Sequence, residues 1–167
     1  VRLRSFVHAH GSSTPANRVT ESELLDRVAA SFGIADWPVA AVKSYVGHSL
    51  ASASADQLIS ALGSFKYQLI PGIKTIDAVA DDVHRQHLSI SQVDVPRTEQ
   101  PLEVCFINSK GFGGNNASGV VLAPQVVERM LRKRYGGERF AAYVAQREQT
   151  RAAAQAYEQQ ALQGQLE

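Results

Sequence analysis

Val1-Arg2-Leu3-Arg4-Ser5-Phe6-Val7-His8-Ala9-His10, followed directly by Gly11-Ser12-Ser13-Thr14-Pro15-Ala16-Asn17, decides the class of fold. The first ten residues alternate and then run apolar, the pattern of a strand. The next seven are dense in turn formers and small hydroxyls, which makes them a loop. Thr20, with Glu21 and Glu23 behind it, reads as a helix start with acidic side chains over the helix dipole. Leu24, Leu25, Val28, Ala29 and Phe32 then fall on one face at 3.6-residue spacing, and Gly33 stops the run. Strand, loop and amphipathic helix in that order is the opening of an α/β unit.

The pattern continues outward. Val39 to Val42 is a short apolar strand after Pro38, and Lys43-Ser44-Tyr45-Val46-Gly47-His48 reads as the loop at its carboxyl end. Ser49 to Ala55 opens a small-residue helix whose stripe of Leu58, Ile59, Leu62 and Phe65 predicts deep burial before Pro71-Gly72 ends it. Residues 73–100 carry mixed signals: a short strand at Ile73 to Ile76, a turn of helix at Ala78 to His84, then a polar connection to Pro101. Val104-Cys105-Phe106-Ile107 is a continuous apolar run suited to a strand covered on both faces. Ser118 to Leu122 makes a second strand, and the two read as a hairpin around the glycine-rich loop Asn108 to Asn116. Beyond Pro124 the chain turns basic, with Arg129, Arg132, Lys133, Arg134 and Arg139, and then rich in alanine and glutamine. These features place residues 1–123 in an α/β domain and 124–167 in a helical extension lying on the surface.

Composition narrows the function. The 167 residues carry 17 basic and 16 acidic side chains, net charge +1, so general attraction to nucleic acid is not expected. Hydrophobic residues at 44% suffice for a core. The one cysteine, Cys105, forms no internal disulfide and fits a reducing, cytoplasmic setting. No apolar run reaches the roughly 18 residues of a spanning helix, so no membrane role is expected. His8 with His10, and His84 with His87, lack a carboxylate or cysteine at ligand spacing, and no metal or cofactor is expected.

Three loops at strand ends concentrate reactive groups: Ala9-His10-Gly11-Ser12-Ser13-Thr14-Pro15, Val42-Lys43-Ser44-Tyr45-Val46-Gly47-His48, and Asn108-Ser109-Lys110-Gly111-Phe112-Gly113-Gly114-Asn115-Asn116-Ala117-Ser118. Each alone is a weak signal, since a strand-end histidine is more often structural and a Gly-Phe-Gly-Gly run is more often a tight turn. In this order and wording they resemble the carboxyl-terminal half of the β-ketoacyl-acyl-carrier-protein synthases, decarboxylating condensing enzymes of the thiolase superfamily. The resemblance covers roughly residues 6–123, and the tail from Pro124 looks like the extension of longer, divergent bacterial members.

The resemblance implies the C-terminal half of a five-layered α-β-α-β-α fold and a Cys-His-His site. His10 and His48 would be the two histidines that act on a malonyl thioester, and Lys43 the lysine that orients and charges their site. Phe112 would be the gating aromatic whose backbone N–H joins the oxyanion hole, with Gly111, Gly113 and Gly114 giving the loop its freedom. Asn108, Thr14 and Glu21 would support the site, Asn108 and Asn115 through side-chain to backbone hydrogen bonds. Substrates would arrive on phosphopantetheine from acyl carrier protein. Three positions depart from the pattern: Lys110 replaces a second aromatic, Arg18 replaces an acidic residue, and Gln57 replaces a glutamate that pairs with the lysine.

The family's nucleophilic cysteine belongs to the amino-terminal half. Cys105, inside an apolar strand, is expected to be a core residue with a raised pKa. The chain is therefore expected to hold half of an active site, to be inactive alone, and to expose apolar surface that packs on the amino-terminal half of the same synthase. A homodimer of complete protomers is the expected assembly. Two other readings are a non-catalytic chain-length-factor-like partner and a carrier-protein docking module using the basic run after Pro124.

Overall fold

The computed structural model describes residues 4–165, so Val1, Arg2 and Leu3 of the expected first strand lie outside it. The chain divides into two compact units, residues 1–124 and 125–167.

In the first unit, β1 (Ser5–His8), β2 (Trp37–Ala40), β4 (Leu88–Ile90), β6 (Val104–Lys110) and β7 (Asn116–Leu122) form one sheet in the order β4-β2-β1-β6-β7. The first four strands run parallel, and β7 turns back antiparallel on β6. A pair of two-residue strands, β3 (Leu69–Ile70) and β5 (Val95–Pro96), stands apart. Helix α1 (Pro15–Ser31) covers one face of the sheet. Its Leu25 and Ala29 pack with Val7, Ala9, Trp37, Val39 and Leu88. On the other face, α3 (Ala53–Tyr67) lies along β6, with the Phe65 ring 6.2 Å from that of Phe6. Alternation along β1 explains the division: Val7 and Ala9 face α1, while Phe6 and His8 face α3.

Several sequence expectations are corrected. Helix α1 begins at Pro15, five residues before the expected start, because proline's fixed φ and missing N–H suit the first helical position. Glu21 is consequently buried inside the helix and does not sit over its dipole. Leu24 and Phe32, expected on the buried face, are exposed. Residues Lys43–Val46 form a short helix, α2, where a loop is expected. A 3-10 turn, Leu50–Ser52, leads into α3. The buried side of α3 is Ala53, Gln57, Ala61, Ser64 and Phe65, and the expected stripe of Leu58, Ile59 and Leu62 faces outward. Small residues are what allow the helix to approach β6 closely, so the small side packs and the aliphatic side is left over.

Neither a strand at 73–76 nor a helix at 78–84 forms. That segment is an irregular strap fastened to α1 by the two-pronged Arg18–Asp82 ion pair, by the His84 N–H to Ser22, and by the His87 N–H to Asp26. Gly72 sits so close to the Val93 backbone that a Cβ there would lie 2.4 Å from it.

The second unit contains α4 (Pro124–Tyr135) and the 26-residue α5 (Gly137–Leu162), where the sequence reads as a helical extension. Within it Arg147 bonds Glu128 at 2.6 Å, and the Arg132 guanidinium lies 4.7 Å from the Phe140 ring centre. Among the described residues no helix is long and apolar enough to cross a membrane.

Candidate active site

β1 and β2 are neighbours and parallel, so the segments leaving their carboxyl ends meet above the sheet, the usual place for a site in an α/β fold. His10 follows β1, and His48 follows β2 through α2. Their rings stand edge to face with centres 5.1 Å apart. Gly11 and Gly47, beside the two histidines, have φ of +58° and +74°, which a residue with a Cβ rarely adopts.

The His48 ring has a defined role for one nitrogen. The Leu50 N–H donates to its Nδ1 at 3.0 Å, so Nδ1 is the acceptor and the neutral ring carries its proton on Nε2. His10 is fixed through its backbone instead. Its N–H donates to Glu21 Oε1 at 2.7 Å, and the Gly11 N–H donates to Oε2 at 3.0 Å. The same carboxylate accepts from Asn17 Nδ2 at 3.1 Å and Asn108 Nδ2 at 2.6 Å. Glu21 thus gathers four N–H donors onto two oxygens and joins the His10 loop to β6.

Burial first, and the nearby Lys43 charge second, hold the His10 pKa below that of a free histidine, with Glu21 acting in the opposite sense. Lys43 is 8% exposed, not a solvated surface lysine, and its Nζ has no hydrogen-bond partner. Burial lowers its pKa, while Glu21 and Asp56 pull it back upward. His8, two residues before His10, is fully buried with both ring nitrogens unpartnered, and burial together with Lys43 pushes its pKa down to about 4.

The glycine loop closes the β6–β7 hairpin. The Gly111 N–H donates to Asn115 O at 2.7 Å, and Gly113 and Gly114 turn the chain at φ of +81° and +87°. The Phe112 side chain is 89% exposed and is not packed against the histidines. Asn108 is tied by its side chain to other side chains, Glu21 and Ser118, where bonds to the backbone are expected. Thr14 precedes α1; its hydroxyl meets that of Ser12 at 3.4 Å, and its carbonyl accepts from the Arg18 N–H at 2.9 Å. Lys110 reaches Thr20 at 3.1 Å. Cys105 is fully buried on β6, and burial raises its pKa to about 12, so its thiol stays protonated and shielded.

Three participants were not assigned a role from sequence: Asn17 on Glu21, Leu50 on His48, and Gln57. The Gln57 amide spans Ala9 O at 2.7 Å and Asn108 O at 3.0 Å. Only the helical register of α1, which puts Asn17 four residues before Glu21, signals any of these in the sequence. A cavity of about 460 Å3 lies on the α1 side, bounded by Gly11, Glu21, Leu25, Ile76 and Val83, and neither histidine of the pair lines it. Among the described residues no cluster could hold a metal ion.

A mostly parallel sheet that delivers two histidines from adjacent strand ends, backed by a buried carboxylate and lysine, defines a thiolase-like α/β domain of the condensing type. Residues 5–78 match the family described as Beta-ketoacyl synthase, C-terminal domain. The chain belongs to this family and carries the C-terminal domain of a β-ketoacyl-acyl-carrier-protein synthase. It is 77% identical, over all 167 residues, to the β-ketoacyl-acyl-carrier-protein synthase FabY of Pseudomonas aeruginosa, of which it spans 26%. The crystal structure of ketosynthase FabY from P. aeruginosa superposes with a TM-score of 0.92, at 75% identity over 99% of this chain and 26% of that one. A more distant relative is 3-oxoacyl-acyl-carrier-protein synthase 2 of Vibrio cholerae, 32% identical over 68% of the chain and 26% of its own length. The chain thus spans about a quarter of the length of these curated relatives.

Proposed function

We propose that this chain is the histidine-bearing part of a β-ketoacyl-acyl-carrier-protein synthase catalysing decarboxylative Claisen condensation in fatty acid synthesis. Residues 1–123 form the catalytic half-domain and 124–167 a helical extension. The observation that carries this reading is the His10–His48 pair, in which the bond from Leu50 leaves the His48 Nε2–H as a donor.

Decarboxylation breaks the bond between C2 of a malonyl thioester and its carboxylate. CO2 leaves, and the electron pair passes to the thioester oxygen as an enolate. Two neutral imidazoles donating N–H to that oxygen stabilise the charge as it develops. A depressed His10 pKa keeps that ring neutral at physiological pH, where a donor is required without a competing proton. C2 then attacks the acyl thioester on a cysteine, and collapse of the tetrahedral adduct expels the thiolate. The cysteine comes from the amino-terminal half of the same synthase, since Cys105 is buried and protonated. The exposed Leu58, Ile59 and Leu62 of α3 support a face that packs on that half. Gly111, Gly113 and Gly114 allow the Phe112 N–H to approach the acyl-cysteine carbonyl, while Lys43 adds positive charge to the histidine site. Substrates come on the phosphopantetheine arm of acyl carrier protein, to a homodimer in the cytoplasm.

The test is release of labelled CO2 from malonyl-carrier by the complete synthase. His10→Ala and His48→Ala should each lose about 10²–10³ in rate, the scale of one oxyanion donor. Full decarboxylation by either variant refutes the assignment and moves a non-catalytic, chain-length-setting role ahead.

A further inference from the structure

β1 and β6 pair in parallel only as far as His8 opposite Ile107. Beyond that row β1 ends and runs into Ala9 and His10, while β6 continues through Asn108 to Lys110 paired with β7 and into the glycine hairpin. Ala9 O and Asn108 O are the first carbonyls past the last β1–β6 pair. Gln57, fully buried on α3, reaches both with the two N–H groups of one side-chain amide, at 2.7 and 3.0 Å. Its Oε1 accepts from Ser109 at 3.4 Å, and Ser109 meets Ser54 of α3 at 2.8 Å. All three bonds of this amide go to segments that carry the site, and none goes to its own helix.

We propose that Gln57 is a positioning residue for condensation, whose amide clamps the chain leaving β1 to β6 just past their last paired row and so fixes His10 relative to the glycine loop. The proposal rests on the reading of His10 and His48 as the decarboxylation pair. Two carbonyls facing one side chain require two N–H donors from it. An amide supplies both, a protonated carboxylic acid one, and an ionised carboxylate or a thioether none. A carboxylate there meets two carbonyl acceptors in a buried site, which disfavours its charged form, while the Lys43 charge, with which the family's glutamate pairs at this position, acts in the opposite sense.

That ordering gives a readout that packing alone does not move. In the complete synthase, Gln57→Glu and Gln57→Met are compared with the parent for decarboxylation of malonyl-carrier, with kcat and KM measured from pH 6 to 8. Both variants should lose at least tenfold in kcat at pH 8 with KM for the carrier unchanged. The ratio of Gln57→Glu to parent should climb several-fold toward pH 6, as the glutamate gains a proton and with it one donor. The Gln57→Met ratio should stay flat. His8, His10, Glu21, Lys43 and Asp56 are common to all three proteins, so their own titrations cancel to first order in the ratios. A flat Gln57→Glu ratio, or parent-like kcat in either variant, overturns the proposal. If Gln57→Glu does not fold, Gln57→Met decides: a loss confined to kcat supports the clamp, and a loss carried by KM overturns it. His10→Ala in the same assay separates the two levels. Retained decarboxylation there refutes the histidine reading and the clamp together, whereas a dead His10→Ala beside a flat Gln57→Glu ratio refutes the clamp alone.

Discussion

Replacing Glu21 by Gln tests whether one buried carboxylate organises the site. The substitution keeps the shape and one oxygen, and turns the other oxygen into an NH2. Each carboxylate oxygen accepts two N–H groups, so whichever oxygen is lost, two donors are left facing a donor. Glu21 is 4% exposed, and water cannot easily replace the missing acceptor. A charge-assisted hydrogen bond contributes about 1.5–3 kcal/mol, so losing two costs roughly 3–6 kcal/mol. At about 2–4 °C per kcal/mol for a domain of this size, melting should fall by roughly 6–24 °C. Thermal melts and urea titrations of the complete synthase, parent against Glu21→Gln, measure this directly. Decarboxylation should fall as well, because the His10 and Gly11 N–H groups lose their shared anchor. A change in stability below about 0.5 kcal/mol, with the urea slope unchanged, would refute the reasoning, for then the four bonds contribute nothing net.

Three further predictions concern other groups. The unfolded state takes up a proton on His8 near pH 6.5, the native state only near pH 4, so stability should be lost as pH falls through that window, by about 3 kcal/mol at pH 4; His8→Phe should flatten this part of a stability–pH curve, and an unchanged curve would count against a buried neutral ring. Cys105 should resist iodoacetamide at pH 8 in the folded protein and react only with denaturant present, as read by peptide mass, and Cys105→Ala should keep decarboxylation. Gly72→Ala should destabilise by several kcal/mol through its clash with the Val93 backbone, whereas Gly63→Ala, in open space on α3, should stabilise by about 0.5–1 kcal/mol; equal melting temperatures for the pair would contradict the geometry.

The three strand-end loops were legible because their chemistry is local: a histidine, its glycine and its neighbours are adjacent in sequence. Burial of Cys105 was equally legible, from a four-residue apolar run. The bonds that tie the loops together were not. Glu21 reads as a dipole-compensating acid until Asn108, 87 residues away, is known to lie beside it. Gln57 reads as a departure from a family pattern until two carbonyls from different strands are found facing it. Helix α3 misled for a related reason. Periodicity locates an apolar face, and here the small-residue face was the one chosen for close approach to β6, leaving Leu58 and Ile59 outward. The segment 73–87 lacks periodicity altogether, because it is held by its bonds to α1 and not by a pattern of its own.

The sheet order β4-β2-β1-β6-β7 sets the sequence of events in folding. β1 is an inner strand, yet its second neighbour, β6, begins about a hundred residues later, with Ser5 opposite Val104. On a ribosome adding about 5–20 residues per second, one side of β1 stays unpaired for roughly 5–20 s after the strand emerges. During that interval Phe6 and His8 lie on an open edge of the kind that invites pairing with other chains. Late closure by β6 is also a long-range contact of the class that slows folding. The strand that carries the first histidine is thus aggregation-exposed longer than any local hairpin of this domain, and chaperone capture should concentrate on nascent chains that end before β6.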